Sequence, residues 1–174
     1  MFGALGGLAA SVAMYPFLFL TTSMMGIPLD DLSIARGMAI SNIDSNNYFN
    51  LALGIGMHLL TGVIAGVIFA LAVSEISRFK ITSFGKGIAE GVIFSTVVFM
   101  VLYVPTTIYM VQPNLSEIMH QVNPQPDGQQ NQLVVENNLF PLYGFGFVAH
   151  VVFGVALGYP VSLGELRRHT KTKG

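Results

Sequence analysis

The residues of this sequence with chemistry to offer are two histidines, His58 and His150, each set into a row of glycines. The first row reads Gly54-x-x-x-His58-x-x-x-Gly62-x-x-x-Gly66 and the second Gly146-x-x-x-His150-x-x-x-Gly154-x-x-x-Gly158, every position displaced by 92 residues. Residues four apart share one helix face, so each row is a stripe of small residues holding one imidazole. An imidazole can bond a neighbouring carbonyl or hydroxyl, ligate a metal, or carry a proton near neutral pH. Three roles compete. In the first, each ring is neutral and bonds a group on an adjacent helix, near Ser11, Thr21, Ser95 or Thr106, as polar glue. In the second, the two rings meet and hold a haem iron or a copper ion. In the third they lie on a proton or solute path. No third ligand is evident in the apolar runs, and the absence of cysteine removes covalent haem attachment. A relay would also lack buried carboxylates to complete it.

Other polar groups carry less. Glu90 follows Lys86 by four residues and suits an interfacial ion pair. Asp30 and Asp31 follow Pro28 and suit a helix cap, while Glu117, Met119 and His120 could bind copper weakly from a solvated loop. Arg36 suits a loop aspartate or a partner protein. There is no nucleophile elbow, no phosphate-binding glycine loop and no pair of carboxylates spaced for acid and base work. No enzymatic activity is expected.

The elements that position the histidines follow from composition. Of 174 residues, 52% are hydrophobic and 10% charged, where a soluble domain has about 25% charged. The formal net charge is -1, so no basic face exists to bind nucleic acid. Four apolar runs, about residues 2–25, 51–73, 87–111 and 139–163, are long enough to cross a bilayer as helices. The expected fold is an all-α integral membrane protein of four transmembrane helices, residues 1–174 forming one membrane domain. The first run lacks a charged start and is too long for a signal core, which predicts a retained span. Pro16 should kink it. Residues 29–50 read as an extramembrane loop, with a short surface helix over 34–40, and Pro124 to Gly128 read as a turn.

Seven of the eight basic residues fall between spans 2 and 3 or after span 4, and six of the nine acidic residues fall in the other two loops. Short positive segments stay in the cytoplasm. The expectation is a multi-pass protein of the cytoplasmic membrane with both termini inside.

Two further blocks repeat. Gly3, Gly7 and Ser11 in span 1 match Gly87, Gly91 and Ser95 in span 3 with an offset of 84, and Thr21-Thr22-x-x-Met25-x-x-Pro28 matches Thr106-Thr107-x-x-Met110-x-x-Pro113 with an offset of 85. One residue has been gained between the blocks. With the histidine stripes, these matches predict two parallel-repeat helical hairpins, about residues 1–73 and 85–163, related by an axis along the membrane normal. Small residues at four-residue spacing let helices in lipid approach closely. Gly3, Gly7, Ser11, Gly54, Gly62, Gly66, Gly87, Gly91, Ser95, Gly146, Gly154 and Gly158 are therefore the expected packing positions, and stripes left over would suit other membrane subunits.

The segment Met25-Gly26-Ile27-Pro28-Leu29-Asp30, together with the glycine and histidine stripe, resembles a set of prokaryotic, especially archaeal, four-span membrane proteins of unknown function. In type, though not in motif, the chain is also similar to accessory subunits of archaeal membrane oxidases and copper-dependent ammonia monooxygenases. The resemblance implies a four-helix membrane fold and transfers no catalytic residue. The expected function is a non-catalytic accessory or structural subunit in contact with the bilayer and with other membrane subunits. The alternatives are a small transporter, channel or proton path using His58 and His150, and a two-histidine haem or copper protein.

Overall fold

The computed structural model describes residues 2–26, 28–41, 47–115 and 139–171, and over these the chain is all-helical. Four stretches, Phe2–Met25, Asn47–Glu75, Phe84–Leu115 and Leu139–Arg167, are long and apolar enough to cross a membrane. They make this a membrane protein, with the second to fourth spans each longer than the apolar runs alone suggested. Glu117, Met119, His120, Asp44 and the turn at residues 124–128 lie outside the described residues.

The first span is two helices, α1 (Phe2–Ala13) and α2 (Tyr15–Met25), parted by a turn at Met14. Proline explains the interruption. Pro16 has no N–H for the carbonyl four residues back, and the chain tightens there, with the Met14 N–H donating to Ser11 O at 3.2 Å. Helix α3 (Leu29–Ser41) follows after Gly26, whose φ of 68° is the left-handed backbone that glycine adopts without strain. Span 2 is the unbroken α4 (Asn47–Glu75). Span 3 starts as α5 (Phe84–Val98), widens to a π segment at Phe99–Tyr103, passes through the single α-turn α6 (Val104–Thr106) around Pro105, and widens again at Thr107–Val111. Wider turns of this kind let a proline remain inside a membrane helix. Span 4 lies within α7 (Leu139–Lys171).

Contacts divide the chain into two compact units, each drawing on all four spans. One comprises Met1–Tyr15, His58–Phe99 and Phe147–Gly174. In it span 1 meets span 2 through glycines, span 3 meets span 4 the same way, Phe69 packs on Phe94 at 5.3 Å between ring centres, and Gly6 faces Leu157 and Pro160. These contacts run 1–2, 2–3, 3–4 and 4–1, the cyclic order of a four-helix bundle.

The other unit comprises Pro16–Met57 and Met100–Gly146, and over Leu29–Ser41 it corrects the reading of residues 29–50 as a loop with a surface helix. Leu32, Ile34 and Ala35 of α3 are buried in one cluster with Leu18 and Met25 of span 1, Val111 and Leu115 of span 3, and Leu142 of span 4. The backbone of α3 also touches span 2 directly. A Cβ on Gly37 would strike the Asn50 main chain, and one on Gly54 would strike the Ser33 carbonyl. Asp30, Asp31, Arg36 and Asp44 made this segment look external, but the first two sit where α3 can tolerate them. Asp30 and Asp31 occupy its first turn, where the helix dipole favours negative charge, and Asp30 is exposed.

Burial, and secondarily the charge of Asp30, raise the Asp31 carboxyl above its ordinary value. A raised acid destabilises the fold when ionised, so its effect is absent below the unfolded value and grows as pH climbs through the folded one. Asp31→Asn is therefore expected to raise thermal stability in detergent at neutral pH and to flatten the rise in stability that the parent shows on acidification. Equal melting temperatures at neutral pH would remove this assignment.

Candidate functional site

The two histidine stripes contribute to two helix interfaces inside the first unit, one between spans 1 and 2 and one between spans 3 and 4. At the first, Gly7 and Gly62 bring the two backbones so close that a Cβ on Gly7 would overlap the Gly62 carbonyl. Gly66 lies against Gly3 and Gly7, and Gly3 against Ala70. The Ser11 hydroxyl occupies the place where a Gly62 side chain would be, and donates to its own helix at Gly7 O at 3.0 Å. That back-bond satisfies a hydroxyl that lipid cannot.

The second interface has the same pairings. A Cβ on Gly91 would overlap the Gly154 carbonyl, Gly158 lies against Gly87, Ser95 Oγ sits over Gly154, and Ser162 Oγ sits over Gly87. Ser95 donates to Val92 O at 2.9 Å and Ser162 to Gly158 O at 2.6 Å. Each contact maps onto its counterpart through the offsets of 84 and 92, including Ala70 onto Ser162.

His58 is seated where span 1 breaks. Its Nε2 lies 3.3 Å from Ser11 O, the carbonyl that also accepts the tight Met14 N–H. A carbonyl only accepts, so this ring nitrogen carries the proton and donates. The ring also meets Tyr15 edge to face, with centres 5.5 Å apart at 83°. His150 is 7% exposed and meets Phe99 at 5.2 Å and 66°, and Phe99 in turn meets Phe147 at 5.4 Å. Tyr15 and Phe99 are themselves separated by the same 84 residues, and each opens the irregular part of its span: Tyr15 starts α2 after the turn, and Phe99 starts the first π segment. These two aromatics are the site residues that reading the stripes missed. Their signal was the shared offset.

The two histidines are thus placed against different helices, His58 on span 1 and His150 on span 3. Among the described residues no three of His, Cys, Asp and Glu gather as a metal site. Gly54 and Gly146 have different partners from the rest of their stripes and from each other. Gly54 receives α3, while Gly146 makes room for the Tyr103 ring, whose hydroxyl donates to Leu142 O at 2.9 Å. The four-position match therefore splits at the histidine. Below it in sequence, the two stripes meet different neighbours; above it, they make equivalent contacts. The Glu90–Lys86 ion pair does not form: Lys86 Nζ donates instead to Arg78 O and Lys80 O, at 3.3 and 2.8 Å. Two backbone carbonyls of the loop thus take the ammonium in place of the Glu90 carboxylate, because the chain already turns around the lysine there.

Replacing Gly7 or Gly91 by leucine must push two backbones apart, and either variant is expected to lose several kcal/mol, of the order of about 2–5 for a severe core change, in reversible detergent unfolding. His58→Leu removes one interhelical hydrogen bond, which in membranes averages about 0.6 and reaches about 1.7 kcal/mol. A His58→Leu protein as stable as the parent would show that the Ser11 contact contributes nothing.

Comparison with protein-family models, with curated proteins and with solved structures finds no match.

Proposed function

We propose that this chain is a non-catalytic subunit of a membrane complex, a compact helical scaffold that stabilises or positions larger partners. The observation that carries this reading is the bond from His58 Nε2 to Ser11 O. It uses the donor nitrogen of the more accessible of the two histidines to join helices, leaving that nitrogen no lone pair for a metal. The glycine stripes support the same conclusion and change where a partner would bind. Their faces are filled by neighbouring helices of the same chain, so a partner would meet the outward apolar faces instead, such as Ile93 and Val97 on span 3. The resemblance in type to accessory subunits of oxidases and ammonia monooxygenases belongs to this reading.

The finer architecture is part of the proposal. Two helical hairpins descended from one are supported by the equivalent contacts of Gly7–Gly62 with Gly91–Gly154 and of Tyr15–His58 with Phe99–His150. Cytoplasmic termini are supported by Arg78, Lys80, Lys86 and Arg167, all on segments at the same ends of the spans.

A second reading, a small transporter or proton path, is favoured by one specific observation: both histidines contact a span at its interruption. Discontinuous helices line the substrate sites of many transporters. A haem or copper site shared by the histidines would have to use His58 Nδ1, because Nε2 carries the proton given to Ser11 O.

Extraction in mild detergent at native expression, followed by size-exclusion chromatography with light scattering, tests the scaffold. The expected result is a complex of fixed stoichiometry with other membrane chains. A monodisperse, fully stable monomer overturns it. Vesicles holding the purified chain that show solute or proton flux, abolished by His58→Leu or His150→Leu, would establish the transport reading in its place, and a visible absorption band from the purified protein would establish the haem reading.

A further inference from the structure

The connection between spans 2 and 3 is short and carries charge of one sign. From Ile76 to Gly87 it holds Arg78, Lys80 and Lys86 and no acidic residue. It is also held in a fixed shape. Ser77–Phe79 is one turn of 3-10 helix, Ile81 is fully buried, Ser83 accepts the Lys86 N–H as the cap of α5, and the Lys86 ammonium binds the carbonyls of Arg78 and Lys80. The lysine therefore turns inward on the loop while Arg78 and Lys80 are exposed.

The surroundings set the depth of this loop. It joins the end of α4 at Glu75 to the start of α5 at Phe84, so in a bilayer it lies where hydrocarbon gives way to headgroups. Phe84 and Tyr159 stack there, 5.8 Å apart at 27°, and both remain about half exposed. Aromatic side chains with one apolar and one wet side collect at that level. Ile76 is exposed beside the cations. Two outward cations, an exposed isoleucine and a stacked aromatic pair match the chemistry of a lipid whose headgroup is anionic and whose chains are apolar.

We propose that the 76–86 connection is a preformed site for an anionic phospholipid, with Arg78 and Lys80 on the headgroup phosphate and with Ile76 and the Phe84–Tyr159 pair against its upper acyl chains. The inference depends on the chain lying in a membrane, not on its having partner subunits, so the purified chain alone tests it.

The experiment is electron spin resonance of the chain reconstituted in phosphatidylcholine, with spin-labelled phosphatidylglycerol or spin-labelled phosphatidylcholine as probe. Near an anionic surface one Lys or Arg contributes about a fivefold factor. The expected result is a severalfold preference of the protein-contacting shell for phosphatidylglycerol, reduced by salt, lost in the double variant R78Q/K80Q and retained in R78K/K80R. Both substitutions fall on exposed side chains, and circular dichroism checks that the helices persist. No preference in the parent chain overturns the proposal, as does a preference that R78Q/K80Q leaves intact. A preference abolished by R167Q alone also overturns it, by placing the lipid at the end of span 4. Replacing chloride by inorganic phosphate at equal ionic strength is expected to change nothing, and a collapse of the preference there overturns a lipid as the occupant.

Discussion

A main-chain carbonyl that loses its helical donor inside hydrocarbon has no water to turn to, and this constraint governs the arrangement around His58. Pro16 has no N–H for Val12 O, the chain tightens at Met14, and Ser11 O, next to it, takes a bond from the Met14 N–H in the tightened turn and another from an imidazole on the next helix. For that imidazole to reach, the two helices must lie nearly in contact. The Gly7–Gly62 approach and the Ser11 hydroxyl folded back on Gly7 O provide the closeness. The break in one helix, the stripe on both and the histidine are therefore parts of one solution. A fourth small residue in place of His58 would pack as well but leave the carbonyl with one partner fewer.

The second interface meets the constraint differently. Span 3 has no proline at the position matching Pro16, where Met100 stands. Instead it widens into π turns, and His150 lies against the ring of Phe99 at the start of the first. The tight turn and the wide turn occupy corresponding places and both are lined by an aromatic residue under a histidine. What is common to the two interfaces is an aromatic seat for the ring. What differs is how the backbone around it is satisfied.

Much of this was legible in the sequence, for identifiable reasons. The four spans follow from apolar length alone, since a bilayer rejects anything shorter or more polar. The pairing of small residues follows from four-residue spacing, and the interruption of span 1 follows from Pro16. The burial of α3 was not legible, because Asp30, Asp31 and Arg36 mark the segment as external, and only the gap left by the surrounding spans draws Leu32, Ile34 and Ala35 inward. Nor could the spacing reveal that Gly54 serves α3 while Gly62 serves α1, since a stripe shows that something approaches and never what. Tyr15 and Phe99 were within reach of sequence reasoning, but aromatic residues in an apolar run draw no notice until a partner ring is seen beside them.

The offset between the matching sequence blocks is 84 residues at Ser11 and Ser95 but 85 at Thr21 and Thr106, and the segment Phe99–Tyr103 falls inside that interval. One added residue in a regular helix would swing everything after it by about 100°, turning the buried side of the span out to the lipid. A π turn accommodates the added residue within a single wider coil, and the later positions keep their angular phase. Thr22 and Thr107, each beyond that interval in its own span, are both almost fully buried. A π turn is a place where a membrane helix can differ in length by one residue without exchanging its inside for its outside.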